Sequence, residues 1–548
     1  IPHEIDPDQY SSLVEVINES FAKYSELPAF ENMGKSYTFA QIDVMSNNFA
    51  SFLQNELKLK KGDRIALQMP NLIQYPVALF GSLKAGLVIV NTNPLYTQPE
   101  MQHQFSDSGA KAVVILANFA CNLEAILPKT NIEHVIVTEI GDLLGGFKGM
   151  LTNFVVKKVK KMVPNYHIPK AFSFKECLSK GSQQSFQPVE ITSEDLAFLQ
   201  YTGGTTGVSK GAMLTHRNVT SNLIQVRTWI SNITQERKEL IITALPLYHI
   251  FALVINGLIT FSIGAKNVLI TNPRDMDGFV KELGKHQFTM MTGVNTLFNA
   301  LLNHPKFASL NFSKFTHAAG GGMAVQRIVA EKWKEITGKP LLEGYGLTET
   351  SPVLTFNPTN GTDRIGTIGV PAPSTDICLL DDEGKEVPIG ERGEICAKGP
   401  QVMKGYWQRP KETEEVFING WFRTGDIGVI DEDGFIKIVD RKKEMILVSG
   451  FNVYPNDIEN AIASHSGVLE VGAIGVPDSK STEAVKVFIV KKDQSLTSEE
   501  ILDFCKKNLT GYKRPKHIEF LTELPKSNVG KVLRRILKEE DTKRNTYS

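Results

Sequence analysis

Cysteine is scarce in this chain: Cys121, Cys177, Cys378, Cys396 and Cys505 are the only ones in 548 residues. No pair is spaced as CxxC and the number is odd. Neither a disulfide framework nor a zinc site is expected, and a reducing cytosol fits. Charge of one sign is also missing. Lys and Arg number 60, Asp and Glu number 60, and the formal net charge is +0. That balance argues against a dedicated nucleic-acid binder. No uncharged apolar run is long enough to span a bilayer; the best, 250–265, is short and contains Asn256. The opening IPHEIDPDQY has neither the basic nor the apolar stretch of a secretory signal. Repeats and low-complexity tracts are absent as well.

What is present is an ordinary globular balance, 42% hydrophobic and 22% charged. The length exceeds what one core supports, so two or more domains are expected. Short apolar runs at RIALQM (64–69), GLVIVN (86–91), AVVILA (112–117) and HVIVTE (134–139) read as buried strands. Helical patterns lie between them, at 75–84 and 100–108, and the alternation resumes over 240–342. Strand–helix alternation predicts parallel α/β sheets. After about 361 the acidic turns DDEG (381–384) and DEDG (431–434) separate short strands, which predicts an antiparallel, hairpin-rich subdomain. The charged run DRKKE (440–444) marks a boundary, giving a large domain over 1–439 and a small α+β domain over 440–548.

The segment 142–173 stands apart, with six lysines (148, 157, 158, 160, 161 and 170) and one acidic residue. Leu143, Phe147, Leu151, Phe154, Val155, Val159 and Met162 fall roughly at helical spacing. Two readings stay open. One is a surface helix that touches anionic lipid; the other is a solvated loop with a short helix. Lys158 and Lys161 crowd the apolar face, and three glycines weaken the helix.

Chemistry concentrates in four motifs. YTGGTTGVSKG (201–211) follows an apolar strand and precedes another, and Thr215 is placed to cap a helix starting at His216. It is not a Walker loop: counted from Gly204, the second glycine would be Ser209, and Lys210 is followed by Gly211. Its glycines and hydroxyls still suit phosphate oxygens, with a flexible loop as the alternative. GYGLTET (344–350), after AAGGG (318–322), offers an aromatic to stack on a base and a carboxylate for a cation. The TGD at 424–426 offers a carboxylate after a glycine turn. LPKSNVGKVLRR (524–535) carries Lys531 in a short turn. Each is weak alone.

Together, and in this order, they resemble the adenylate-forming superfamily of acyl-CoA synthetases, luciferases and peptide-synthetase adenylation domains. NGWFRTGD through VDRKKEMI, LPLYHIF and VSGFNVYP are most similar to bacterial long-chain fatty-acid–CoA ligases. The resemblance implies the acyl-CoA synthetase fold, with a small mobile C-terminal domain. It also implies ATP and CoA as co-substrates, Mg2+ as cofactor, and acyl-CoA formation through an acyl-adenylate. By the same resemblance Thr202, Gly203, Gly204, Thr205, Thr206, Gly207 and Lys210 meet the phosphates. Thr205 and Glu349 lie on the metal side. Gly321, Gly322, Tyr345 and Thr348 border the nucleotide, and Asp426 with Arg441 holds the ribose. Lys531 bridges the acyl carboxylate and the α-phosphate, with Glu349 and Thr205 completing the catalytic group. Lys443 takes the hinge position, and Gly450 lets the CoA arm pass.

The acyl pocket is expected at His249, Phe251, Leu253 and Val294, because 245–264 is uncharged apart from His249. Burying each CH2 of a fatty chain contributes about 0.8 kcal/mol, so an apolar wall favours long chains. The same stretch reads equally as a core helix. It holds no Asp to pair a substrate ammonium, which counts against amino-acid activation. A medium-chain or aryl-acid CoA ligase, a luciferase-like oxygenase and an inactive ATP-binding scaffold remain as alternatives. Expected partners are fatty acid, ATP and CoA. Homodimerisation and peripheral contact with the inner face of the membrane are left open.

Overall fold

The computed structural model describes residues 1–202, 209–478, 481–527 and 530–546. The apolar runs read from the sequence form parallel strands Arg64–Gln68, Val88–Asn91, Ala112–Leu116 and His134–Thr138. Their centres are apolar because helices cover both faces of a parallel sheet. Leu196–Thr202 joins in parallel beside Val88–Asn91, and Lys210–Thr215 closes that edge as an antiparallel partner.

A second sheet has a parallel centre built from Pro28–Asn32, Lys266–Leu269, Leu240–Thr243, Met290–Gly293, His317–Gly320 and Leu341–Gly346. Antiparallel strands Lys35–Thr38 and Val353–Phe356 extend its two ends.

The main core is aromatic. Phe261 stacks on Phe39 at 4.5 Å and meets Phe80 at 4.9 Å and Phe30 at 5.9 Å, all of them buried. Helix Gln74–Lys84 runs through this core and is buried along its whole length, Lys84 included. The Lys84 ammonium is satisfied by Ser46 (2.9 Å), Asn47 (2.7 Å) and Asp43. Burial lowers its pKa, and Asp43 opposes that shift.

Beyond residue 370 the strands turn antiparallel. Asp376–Leu380, Arg392–Lys398, Trp421–Ile430 and Ile436–Arg441 form one sheet. The acidic turns close where the sequence places them, on Gly384 and Gly434 at positive φ. Ile446–Val448, Phe451–Val453, Val468–Asp478, Thr482–Lys491 and His517–Leu521 form the last sheet, packed on helices Pro455–Ala463 and Ser498–Asn508. This unit docks on helix Asn295–Leu302. Thr296 Oγ1 donates to the Gly530 carbonyl at 2.8 Å, and Asn299 Nδ2 donates to the Leu469 carbonyl at 3.0 Å. Among the described residues no helix is long and apolar enough to cross a membrane.

Candidate active site

Thr202 and Lys210 pair across the hairpin Leu196–Thr202/Lys210–Thr215, which fixes both ends of the glycine-rich run. Gly203, Gly204, Thr205, Thr206 and Gly207 lie outside the described residues. Thr215 caps helix His216–Trp229 as expected: Asn218 N donates to its Oγ1 at 3.1 Å, and its own N–H donates to Asn218 Oδ1 at 2.9 Å. The Lys210 ammonium sits 5.0 Å above the ring of Tyr406. That ring's hydroxyl donates to Glu349 Oε1 at 2.7 Å. Tyr406 therefore joins the first motif to the second. Its segment adds to the hairpin edge, with Met213 N donating to Gly405 O (2.9 Å) and Trp407 N to Gly211 O (2.8 Å).

Glu349 is buried in the turn Thr348–Thr350, which Thr348 opens. Burial raises its pKa, opposed by the Tyr406 bond. It makes no ion pair among the described residues. Gly321 and Gly322 follow strand His317–Gly320 directly. A Cβ on Gly321 would stand 3.2 Å from both the Gly344 carbonyl and the Phe251 ring, so the chain passes tightly between them. A Cβ on Gly322 would meet Val294 at 3.7 Å.

Tyr345 donates to Asp426 Oδ2 at 2.6 Å, and Arg441 Nε lies 3.4 Å from Asp426 Oδ1 across the strand pair. Lys531 completes the cleft. Its turn is tied by Ser527, whose N–H donates to the Lys531 carbonyl (2.7 Å) and whose Oγ accepts from Lys531 N (3.1 Å). Lys531 lines one cavity with Gly322, Tyr345, Asp426, Arg441 and Glu444. Burial lowers its amine to about 8, the Arg441 charge adds to that, and Asp426 and Glu444 oppose it. A lysine amine, a buried carboxylate and an aromatic ring thus converge from distant parts of the chain.

Family models agree with this arrangement: one for AMP-binding enzymes matches residues 17–407, and one for their C-terminal domain matches 457–531. The chain belongs to the AMP-binding enzyme family. A long-chain-fatty-acid–CoA ligase of Escherichia coli O6:H1 is 58% identical over 98% of this chain and 96% of its own. The Yersinia pestis protein of the same name is 56% identical over 100% and 97%. In fold, an anthranilate CoA ligase in complex with anthranoyl-AMP superposes with a TM-score of 0.88 at 24% identity, covering 99% of this chain and 100% of that one.

In this AMP-binding enzyme the expected acyl wall divides. His249 caps the helical run 250–262, its Nδ1 accepting from Phe251 N at 3.3 Å. Burial lowers its pKa to about 4, and the Lys531 charge acts in the same direction. His249 is therefore neutral and within electrostatic reach of Lys531. Phe251 lies beside Gly321, and Val294 lies beside Gly322. Leu253 is different: it is wholly buried in the aromatic core, at the start of the π-helical turn Leu253–Ile259. Behind it, Asn256 is satisfied by Thr243 (3.1 Å) and Thr292 (2.9 Å).

Gly450 and Lys443 also stay outside the cleft. Ser449 and Gly450, at φ +51 and +84, form the two-residue loop of an exposed hairpin. Lys443 is exposed in the turn after Arg441. Sequence reasoning missed Tyr406 and Arg534. Arg534 binds Asp440 (3.2 Å), Glu459 (2.7 Å), Asn456 (2.6 Å) and Glu444. Burial raises Asp440 to about 6, and Arg534 opposes that shift. Its place in LPKSNVGKVLRR was the available signal for Arg534. Tyr406 carried none, because its partner Glu349 is met only through the fold.

Proposed function

We propose that this AMP-binding enzyme activates long-chain fatty acids to acyl-CoA in two half-reactions. In the first, a carboxylate oxygen attacks the α-phosphorus of ATP, the bond to pyrophosphate breaks and acyl-AMP forms. In the second, the CoA sulfur attacks the acyl carbon, the bond to AMP breaks and the thiol proton is released to solvent. The observation that carries this reading is the bond from Thr296 to the Gly530 carbonyl, beside Lys531, which lines one cavity with Tyr345, Asp426 and Arg441.

An anion must approach a polyanion in the first step, so cationic groups fixed where charge develops lower the barrier. Lys531 is assigned that place between the carboxylate and the α-phosphate. Asp426 and Arg441 take the ribose, Tyr345 with Gly321 and Gly322 the adenine, and Thr202 and Lys210 the leaving pyrophosphate. Thr348 borders the same nucleotide. Bound Mg2+ would neutralise phosphate charge. Glu349 fits such an ion, being a buried carboxylate with a tyrosine donor and no ion pair among the described residues; Thr205 is its proposed companion. Neutral His249, with Phe251 and Val294, borders the acyl chain.

The reading divides the chain at 440, with 1–439 as the large domain and 440–548 as the small one. The small domain turns about Lys443 between half-reactions, which brings Gly450 to the thiol path. Relatives named long-chain-fatty-acid–CoA ligase support the substrate class. Turnover across saturated acids of roughly 8 to 18 carbons tests it, since apolar burial makes activity rise into the long-chain range. A maximum at benzoate or octanoate overturns the long-chain reading.

A further inference from the structure

Helix Gly146–Phe154 is amphipathic the wrong way round for a helix packed on a protein. Its inner face is small and polar. Gly149 is buried against the Gly141 carbonyl so closely that a Cβ would stand 2.4 Å away. Asn153 Oδ1 accepts from Gly141 N at 2.7 Å. The outer face holds Phe147 (74% exposed), Met150 (65%), Leu151 and Phe154 (58%), which share one stripe at helical spacing. Val159 and Met162 continue it, also exposed. A second element joins this face: Lys148 Nζ donates to the Met33 carbonyl, and Met33 at the neighbouring hairpin tip is itself exposed. Scattered exposed apolar residues are normal on proteins, but a contiguous patch on two elements marks a surface that meets something.

The surrounding charge identifies the partner. Lys148, Lys157, Lys158, Lys160 and Lys161 rim the stripe and are exposed. Nearby acidic groups are Asp142 and Glu139 ahead of the helix and Glu31 on the hairpin strand, and each faces a lysine: Lys175 lies 3.5 Å from Asp142, Lys157 lies 3.9 Å from Glu139, and Lys266 lies 2.5 Å from Glu31. Lysines around bulky apolar side chains complement an anionic bilayer, with the apolar groups entering the acyl boundary and the ammonium groups meeting the headgroups.

We propose that the face of 146–162, with the tip at Met33, docks this enzyme on an anionic lipid surface. The proposal goes beyond the ligase reading and does not rest on it. The outward-facing stripe makes no packing contact that folding needs, so polar variants there keep the fold.

Co-sedimentation with phosphatidylcholine vesicles, and with equal mixtures of phosphatidylcholine and phosphatidylglycerol, tests it on the full chain. The expected result is binding to the mixed vesicles that weakens with salt. The variant Phe147→Ser/Phe154→Ser loses more than about tenfold in vesicle affinity. The variant Lys158→Gln/Lys160→Gln/Lys161→Gln loses up to about 100-fold at low salt. Both variants keep ATP–pyrophosphate exchange with octanoate, which separates this proposal from the ligase reading. No binding by the unaltered chain overturns the proposal, as does binding that neither variant weakens. Light scattering that shows a dimer lost in Phe147→Ser/Phe154→Ser also overturns it, assigning the face to a second copy.

Discussion

Lys531 is a lysine whose amine is held near neutrality by its surroundings. Burial and the Arg441 charge lower it to about 8, and Asp426 and Glu444 recover only part of that loss. The amine is charged below that value and neutral above it. Because kcat/KM reports the free enzyme, adenylation should be flat at lower pH and fall about tenfold per unit above about pH 8. Arginine stays protonated throughout, so Lys531→Arg should move that fall to higher pH even where it lowers the rate. A fall unchanged in Lys531→Arg would assign the titration to another group. Tyr406 makes a second residue-scale case. Its hydroxyl is the donor to buried Glu349. Tyr406→Phe leaves that carboxylate short of a partner, at a cost of about 1–3 kcal/mol in unfolding free energy measured by denaturant titration. Unchanged stability would mean that water or another donor replaces the hydroxyl.

At the scale of elements, the hairpin carrying Ser449 and Gly450 presents an exposed tip. A Cβ on Gly450 meets no atom within 4 Å in this conformation, so a substitution there costs local backbone strain at φ +84 but no clash at the Cβ. Gly450→Leu should therefore leave ATP–pyrophosphate exchange nearly intact and slow thioester formation by about tenfold or more, the cost of blocking a close approach. Equal loss of both half-reactions would place Gly450 in the adenylation site instead. The same scale shows what the sequence could reveal. Strand–helix alternation over 64–139, the cap at Thr215 and the acidic turns at Gly384 and Gly434 are written in local pattern and reappear in the fold. Leu253 was ambiguous because a buried helix and a pocket wall share one apolar composition. Tyr406 was illegible because its two partners come from strand Lys210–Thr215 and the turn Thr348–Thr350, which only tertiary folding brings together. The helix Gly146–Phe154 was half legible. Its apolar spacing could be read, but that the helix turns its glycine face inward could not.

At the scale of the whole molecule, named side chains tie the last unit to the rest. Thr296 and Asn299 hold two of its carbonyls, and Arg534 gathers Asp440, Glu444, Asn456 and Glu459 at the junction. Arg534→Gln would leave those acids without their cation, a loss of about 3–5 kcal/mol for a buried network. The expected result is an earlier denaturant transition and faster proteolysis within 440–546; an unchanged transition would mean the acids are solvated. The docked arrangement puts Lys531 in the cleft, where its proposed role is in the first half-reaction alone. The most direct test is Lys531→Ala assayed in each half-reaction separately. ATP–pyrophosphate exchange should fall by about 100- to 1000-fold, with thioester formation from preformed acyl-AMP kept within about twofold. Normal exchange in that variant, or equal loss of both half-reactions, would contradict it.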